Sequence, residues 1–186
     1  MNGYHIKTYV YIGVSLDGFI ARKDGDIDWL VTFESPEVHK GYSDFVSKID
    51  AVVIGRGTFE KVLSFPGWPY ERSVFVLSRS LKHIPDSLEG KVKIITMEPK
   101  ELLHYLSGEG FSNIYVDGGK VIQQFLKEDC ITEIIISRVP VLIGTGIPLF
   151  GFLERDLKFR HMETRVYSNG LVKSHYERIE NNFDRE

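Results

Sequence analysis

The amino-acid sequence predicts an α/β fold in which a mostly parallel central sheet is closed by an antiparallel hairpin near the C-terminus. Short apolar runs rich in β-branched residues recur along the chain, which is typical of strands covered on both faces. Stretches with helical spacing lie between several of these runs, and alternating strands and helices form parallel sheets with crossover connections. Ser168–Gly170 then separates two extended runs, and Asn-Gly at such a place indicates a hairpin.

The predicted strands are short, and most are continuous apolar runs rather than alternating ones. Helices are therefore expected on both faces of the sheet. The last two runs are longer and form the arms of the hairpin. In chain order, the predicted strands are Tyr9–Val14, Ala51–Ile54, Val74–Leu77, Val92–Ile95, Ile114–Val116, Ile131–Ile136, Val139–Ile143 and the two arms Leu157–Tyr167 and Leu171–Ile179.

Three helices are expected between these strands. In the first, Ser35 occupies the N-cap position and Pro36 the first helical position, where each residue type is favoured. The second ends at a glycine, which is a common stop signal, and the third begins directly after a glycine. The predicted helical segments are Pro36–Ile49, Pro99–Gly108 and Gly119–Leu126.

The length and the charge of the chain exclude several classes of protein. A chain of 186 residues matches one domain, which is expected to span residues 1–186. Its 23 basic and 26 acidic residues give a net charge of -3, so no nucleic-acid partner is expected. No apolar stretch approaches the ~18 residues of a membrane span. The N-terminal segment Met1–Thr8 lacks the pattern of a signal peptide, so no membrane partner is expected.

The cysteine and histidine content predicts neither a disulfide nor a metal site. Cys130 is the one cysteine, which indicates a reducing compartment, and a cytoplasmic location is expected. The six histidines show no paired spacing of metal ligands. The acidic cluster Asp24–Asp28 begins like a calcium loop, but Trp29 stands where that loop requires glycine. We therefore expect no metal.

Three strand ends carry residues that suit an anion. Gly55–Thr58 follows one buried strand, and the guanidinium of Arg56 can donate two hydrogen bonds to an anion there. The segment is equally well explained as a structural turn. Thr58 either contacts a phosphate or caps a helix. Gly118–Lys120 follows a second strand, and Arg79 a third. Open α/β sheets bind ligands at the carboxyl ends of their strands, so a phosphorylated ligand such as a dinucleotide is expected at this edge.

The chain resembles the dihydrofolate reductase superfamily, most closely the branch that includes the reductase domain of bacterial riboflavin biosynthesis. The likeness rests on the order and spacing of four segments, and it extends from Tyr9 to about Ile179. It implies a three-layer α/β/α dihydrofolate reductase-like fold with a C-terminal hairpin. The four segments are Val14–Ala21, Gly55–Phe59, Val116–Gly119 and Pro140–Phe150.

The same resemblance implies NADPH as cofactor. Asp17 and Trp29 lie at the two ends of a loop that would cover the nicotinamide, which places both on the substrate or nicotinamide side. Trp29 is equally well explained as a core aromatic. Arg56 and Thr58, after Gly55, would hold the adenosine 2′-phosphate. The residues implied beside the adenine ribose are Ser78 and Arg79, and those implied around the pyrophosphate are Gly118, Gly119, Lys120 and Val121.

Two carboxylates are candidates for the catalytic acid. Counting from Trp29 brings Glu34 to the place where dihydrofolate reductases hold and protonate the pterin, but Pro36 opens the helix after it, which leaves Glu34 in a loop. Asp117 matches an acidic residue that the riboflavin branch has before its two glycines. A buried carboxylate beside a pterin or pyrimidine acts as hydrogen-bond acceptor, or as proton donor if its pKa is raised.

The resulting expectation is an NADPH-dependent reductase of a small heterocyclic substrate. The first candidate substrate is 5-amino-6-(5-phosphoribosylamino)uracil and the second is dihydrofolate, while a non-catalytic NADPH-binding protein is the alternative of a different class. The apolar runs Ile131–Ile136 and Val139–Ile143 are more apolar than a lone edge strand should be, and relatives in the riboflavin branch pair there. A homodimer is therefore expected.

Overall fold

A computed structural model of the protein describes residues 6–179. Its centre is an eight-stranded sheet in the order β5-β4-β3-β6-β1-β7-β10-β9, in which the first six strands are parallel and β10 runs antiparallel to both of its neighbours. These strands are β1 (Lys7–Val14), β3 (Ala51–Gly55), β4 (Ser73–Leu77), β5 (Val92–Ile95), β6 (Asn113–Asp117), β7 (Glu133–Arg138), β9 (Phe159–Val166) and β10 (Val172–Arg178), and a separate pair is formed by β2 (Phe19–Ala21) and β8 (Ile147–Pro148).

Helices cover the sheet on both faces, as the continuous apolar strands predict. The Ser35 hydroxyl accepts a hydrogen bond from the Val38 amide at 3.3 Å, which confirms the predicted N-cap. That helix ends earlier than predicted, at Val46, and the second helix has its predicted bounds. The short helix at Asp28–Val31 was not predicted, and the segment after Gly55, which was left open as a helix or a loop, is a helix. The helices are α1 (Asp28–Val31), α2 (Pro36–Val46), α3 (Arg56–Val62), α4 (Pro99–Gly108) and α5 (Gly119–Lys127), with a 3₁₀ turn at Asp86–Leu88.

The core lies in two apolar layers, one on each face of the sheet. Along β3, Val53 packs into the layer that holds Leu102 and Phe125 of α4 and α5. The residues before and after Val53 turn to the other face, where Phe45 of α2 and Phe59 of α3 pack. This alternation produces the three-layer α/β/α arrangement of a dihydrofolate reductase-like fold.

The prediction of a strand at Val139–Ile143 is wrong. Pro140 lacks an amide proton, and the segment forms single bonds with the end of β1 instead of a ladder: Val139 N donates to Val14 O at 2.9 Å, and Leu16 N donates to Val141 O at 2.8 Å. The run predicted as Ile131–Ile136 becomes β7, which lies between β1 and β10. It is therefore not an edge strand, its apolar character is explained by burial, and homodimer formation stays a prediction.

The structure confirms the C-terminal hairpin that Asn-Gly predicts. Gly170 has φ +86°, a conformation that glycine adopts without strain, and its amide donates to Tyr167 O at 3.0 Å. One arm, β10, completes the sheet beside β7, and β9 forms the edge. Across residues 6–179, no helix is long and apolar enough to cross a membrane.

Candidate active site

A cleft of about 620 Å³ opens at the carboxyl ends of β1, β3 and β6. Parallel sheets bind ligands at this edge, and the cleft walls are mostly apolar with a few polar groups, as is usual for a small-molecule site. One wall comes from β1, α1 and α2, including Leu30 and Val38, and the opposite wall from α3, including Thr58 and Lys61. Asp117 and the two following glycines line the cleft where β6 meets α5.

The junction between β6 and α5 is open because it consists of two glycines. Gly118 has φ +94°, and a Cβ at this position would lie 2.3 Å from Thr58 Oγ1. A Cβ on Gly119 would lie 2.9 Å from Ile147 Cγ2. Ile122 N makes the first intrahelical bond, to Gly118 O, so the amides at 119–121 have no partner within the helix. These amides, with the positive end of the helix dipole, suit the phosphate of a ligand.

Asp117 ends β6 with its carboxylate at the cleft. One oxygen accepts from the Gly118 amide at 2.8 Å, and the other accepts from the Tyr70 hydroxyl at 3.2 Å. Burial raises the pKa of Asp117, while these two hydrogen bonds act in the opposite direction. Desolvation therefore outweighs hydrogen bonding, and the carboxyl keeps its proton to a higher pH than an exposed aspartate does.

Tyrosines surround Asp117, and the sequence analysis missed their role. The Tyr115 hydroxyl donates to Tyr11 O at 2.9 Å, and Tyr11, Tyr42, Tyr70 and Tyr115 all line the cleft. Burial, followed by the charge of Asp117, raises the pKa of Tyr42 to about 12 and also raises the pKa of Tyr70 and Tyr115. The phenols near Asp117 therefore stay protonated at neutral pH and offer hydrogen bonds to a polar ring.

Glu34 also lines the cleft, so the structure brings both candidate acids to one site. It lies in the turn between α1 and α2, as the position of Pro36 predicted. One of its oxygens is 3.3 Å from His39 Nε2, and its side chain is 54% exposed. Glu34 is thus a solvated group at the cleft wall, whereas Asp117 is a desolvated group at the end of a central strand.

The residues predicted around the adenosine meet at the adjoining strand ends. Arg56 Nη1 donates to Ser80 Oγ at 2.9 Å, which joins the end of β3 to the loop after β4. Arg56 also pairs with Glu60, and Arg79 pairs with Glu98, each at 2.6 Å. The Ser78 hydroxyl caps the local turn by accepting from Leu81 N at 2.9 Å. Because exposed ion pairs contribute little, a bound phosphate could displace either glutamate at small cost.

Several predicted site residues lie elsewhere. Trp29 is 5% exposed and packs in the core with Val139 and Leu171, so the structure places it as a core aromatic. Thr58 contacts Gly118 in the cleft, whereas Arg56, two positions earlier on α3, projects from a different side of the helix. Val121 is buried, and Lys120 is exposed outside the cleft. A Cβ on Gly55 would lie 3.0 Å from Val121 Cγ2, so Gly55 permits close packing of α5.

Asp17 fastens the loop after β1 to the segment that follows β7. Its two oxygens accept from Ser15 Oγ at 2.6 Å and from Gly144 N at 2.7 Å, and the Ile143 amide lies 3.3 Å away. Asp17 does not line the cleft. Asp17 thus makes an anchoring contact that shapes the neighbouring β2–β8 pair, and its place on the substrate or nicotinamide side stays a prediction.

Replacement of Asp17 by alanine is expected to lower the melting temperature at neutral pH. The Ser15 hydrogen bond, followed by those of the loop amides, lowers the pKa of Asp17. Its contribution is therefore present above the unfolded pKa of about 3.9 and is lost as the pH falls through the lower folded value. Thermal unfolding followed by circular dichroism should show a difference at pH 7 that vanishes in acid. Equal melting temperatures at pH 7 would contradict the anchoring role.

The family model for the RibD C-terminal domain matches residues 7–173. The chain belongs to the RibD C-terminal domain family. This match covers all the residues that line the cleft and every strand of the sheet except β10, of which it includes only the first two residues. Within residues 6–179, no group of three or more histidine, cysteine or acidic side chains is arranged to hold a metal ion.

Two similar proteins span nearly the whole chain. The Bacillus subtilis protein YwjB, described as uncharacterized, is 42% identical in an alignment of 177 residues. The alignment covers 92% of this chain and 98% of YwjB. A crystal structure from Shewanella sp. PV-4, provisionally named a riboflavin biosynthesis protein, is 40% identical with a TM-score of 0.89. That comparison covers 94% of this chain and 100% of the Shewanella chain.

More distant solved structures share the fold. A Thermotoga maritima diaminohydroxyphosphoribosylaminopyrimidine deaminase/5-amino-6-(5-phosphoribosylamino)uracil reductase superposes with a TM-score of 0.70 at 17% identity, over 94% of this chain and 57% of that one. Enterococcus faecalis dihydrofolate reductase complexed with NADP(H) gives 0.66 at 15% identity, over 94% and 97%. These two superpositions show that the chain has the same fold as these two enzymes.

Proposed function

We propose that this RibD C-terminal domain family member is an NADPH-dependent reductase, with 5-amino-6-(5-phosphoribosylamino)uracil as first candidate substrate. The observation that carries the proposal is the placement of Asp117. Its desolvated carboxyl lies in the cleft directly before the glycine junction that suits a phosphate. A proton source and a cofactor cradle are thus adjacent in sequence and share one cleft.

The residues at the strand ends fit NADPH. The junction at Gly118 and Gly119 has no room for side chains and presents free helix amides for a diphosphate. Arg56 and Arg79, on adjacent strand ends, would take the 2′-phosphate and the adenosine ribose. When bound, NADPH supplies the hydride for the reduction.

Asp117 supplies the proton in this proposal. Reduction of a C=N or C=O bond adds a hydride to carbon and a proton to the nitrogen or oxygen. A carboxyl whose pKa is raised by burial keeps that proton to a higher pH than an exposed aspartate does, and it releases the proton to the heteroatom. Tyr70 positions the carboxyl through its hydrogen bond to Oδ2. The apolar wall at Leu30 and Val38 orients the ring of the substrate and excludes water.

Glu34 favours dihydrofolate as the second candidate substrate. It lies in the cleft just before α2, where the resemblance to dihydrofolate reductases implies the acid that binds the pterin. In this alternative Glu34 holds the pterin, and Asp117 remains a neighbouring hydrogen-bond acceptor. The non-catalytic alternative, a protein that binds NADPH without reducing a substrate, needs neither acid.

NADPH oxidation distinguishes these functions. We expect the purified protein to quench NADPH fluorescence on binding and to oxidise NADPH when 5-amino-6-(5-phosphoribosylamino)uracil is added. The control is the same mixture without substrate. Oxidation with dihydrofolate instead would select the second candidate, and saturable binding without turnover on either compound would contradict a reductase.

A further inference from the structure

Asn169, at the tip of the C-terminal hairpin, makes a hydrogen bond that the hairpin itself does not need. Its Oδ1 accepts from Leu171 N at 3.2 Å, which is a local bond of a kind that asparagine often makes in turns. The backbone also closes the turn, since Gly170 N donates to Tyr167 O. The Nδ2 group of Asn169, however, donates to Phe33 O at 2.7 Å, across 136 positions of the chain. This long-range bond joins the hairpin to another part of the molecule.

The acceptor of this bond belongs to the wall of the cleft. Phe33 follows α1 and lines the cleft, as do Leu30 before it and Glu34 after it. The helix α1 has only four residues, and no side chain caps its N-terminus. A single helical turn gains few hydrogen bonds for the conformational entropy that it loses, so it does not hold its place unaided. The position of this wall therefore depends on contacts with other parts of the fold.

The tip of the hairpin supplies such contacts. Tyr167 and Leu171 are 4% and 2% exposed, and they form one apolar cluster with Trp29 of α1. Phe33 packs against the same cluster. Apolar packing is not directional, so it keeps the wall close to the hairpin without fixing where the wall lies along it. The bond from Asn169 to the Phe33 carbonyl is directional, and it fixes that position.

We propose that Asn169 is a positioning residue for the substrate, because its bond to the Phe33 carbonyl holds the apolar wall where the heterocyclic ring packs. Asn169 does not line the cleft, so it acts through the wall. This inference rests on the proposed function, since it assumes that the ring lies against this wall. The phosphate cradle at Gly118 and Gly119 is contacted by Thr58 of the opposite wall and by Ile147. Binding of NADPH should therefore not depend on Asn169.

Replacement of Asn169 by aspartate removes this bond with little change of shape. Asp-Gly suits the same turn, and the carboxylate keeps an acceptor for the Leu171 amide. Near pH 8, however, an oxygen without a proton would face Phe33 O. We expect calorimetry to show about 10-fold weaker binding of 5-amino-6-(5-phosphoribosylamino)uracil, and NADPH oxidation to show a similar rise in KM with a smaller change in kcat. The affinity for NADPH, measured by fluorescence, should not change.

Two further measurements distinguish positioning from a general loss of structure. As the pH falls from about 8 to about 5, the new carboxyl regains its proton and can donate to Phe33 O, so substrate binding relative to the wild type should recover. Without any ligand, amide hydrogen exchange in residues 28–34 should be faster in Asn169→Asp than in the wild type near pH 8, with no change in α5. Ser168→Ala is the matched control, because it alters an exposed residue of the same turn, and it should behave as the wild type.

Unchanged exchange in residues 28–34 of Asn169→Asp would overturn the inference, as would substrate binding equal to that of the wild type. A loss of substrate affinity that does not recover in acid, or a parallel loss of NADPH affinity, would show that the variant distorts the cleft in general and would also overturn it. If exchange and substrate binding change as expected but the wild type does not oxidise NADPH, the proposed function fails and the positioning role of Asn169 stands.

Discussion

Replacement of Asp117 by asparagine is expected to lower kcat by about 10²–10⁴-fold while leaving the affinity for NADPH unchanged, because the asparagine side chain keeps its place at the cleft but cannot deliver a proton. Its NH2 group, in the place of Oδ2, would donate to the Tyr70 oxygen instead of accepting from the Tyr70 hydroxyl. The contact from the Gly118 amide, at 2.8 Å, needs only the carbonyl oxygen that asparagine retains. Single-turnover oxidation of bound NADPH measures the effect. Glu34→Gln is the matched control, since it also neutralises an acid of the cleft, and we expect less than about a tenfold change from it.

The pH profile of the same variants identifies the acid. Burial raises the pKa of Asp117, so the wild-type rate should fall as the pH rises through that raised value and the carboxyl loses its proton. In Asp117→Asn this limb should disappear. A wild-type limb that persists in Asp117→Asn but vanishes in Glu34→Gln would transfer the role to Glu34.

Measurements of stability against pH show whether Asp117→Asn loses its reduction rate because it unfolds. Because the folded pKa of Asp117 lies above the unfolded value, the folded state holds more protons, and its stability falls as the pH rises between the two values. Asparagine removes this dependence. The free energy of unfolding of Asp117→Asn relative to the wild type should therefore increase from acid to pH 8, even though the variant is inactive.

Replacement of Gly118 by alanine is expected to cost about 1–3 kcal/mol of stability and to abolish measurable binding of NADPH. The backbone is in the left-handed region at φ +94°, and the new Cβ would lie 2.3 Å from Thr58 Oγ1, so we expect α3 to be pushed away from α5. The separation would displace the helix amides at 119–121. Urea unfolding and NADPH fluorescence titration measure the two effects.

Two variants show whether the loss comes from the stated contact. Gly108→Ala, in α4, places a Cβ in open space at ordinary φ and should be neutral or slightly stabilising. Adding Thr58→Ala to Gly118→Ala removes the overlapping hydroxyl, so the double variant should be more stable than Gly118→Ala alone. If Thr58→Ala brought no recovery, backbone strain rather than the overlap would account for the cost.

The strands and the binding edge follow from short-range patterns in the sequence. A run such as Ala51–Ile54 is apolar at every position because helices cover both of its faces, and the structure places it inside the sheet. Glycines after such a run mark a strand end, so the sequence predicts that Gly118 and Gly119 lie where a ligand binds. The apolar pattern alone wrongly predicts a strand at Val139–Ile143. Pro140 and single hydrogen bonds to the end of β1 prevent a ladder of strand hydrogen bonds there.

The polar lining of the cleft could not be predicted because it depends on contacts between distant segments. Tyr70 reaches Asp117 across 47 positions of the chain, and the local sequence around Tyr70 resembles an ordinary proline-containing loop. Tyr42 occupies a core-facing position of α2 by periodicity, yet it lines the cleft. Trp29 had two possible positions, and burial against Val139 and Leu171 decided for the core. Lys61 gave no signal, because α3 is a short helix that the sequence pattern left undefined.

Isotope transfer from labelled NADPH tests whether this protein reduces a heterocyclic substrate. The protein is incubated with 5-amino-6-(5-phosphoribosylamino)uracil and NADPH that carries deuterium at the transferable position of the nicotinamide, and the product is analysed by mass spectrometry. We expect a reduced product that contains one deuterium from the cofactor, formed by the wild type and not detectably by Asp117→Asn. A wild-type protein that binds labelled NADPH but transfers no deuterium to this substrate or to dihydrofolate would contradict the proposed reductase activity.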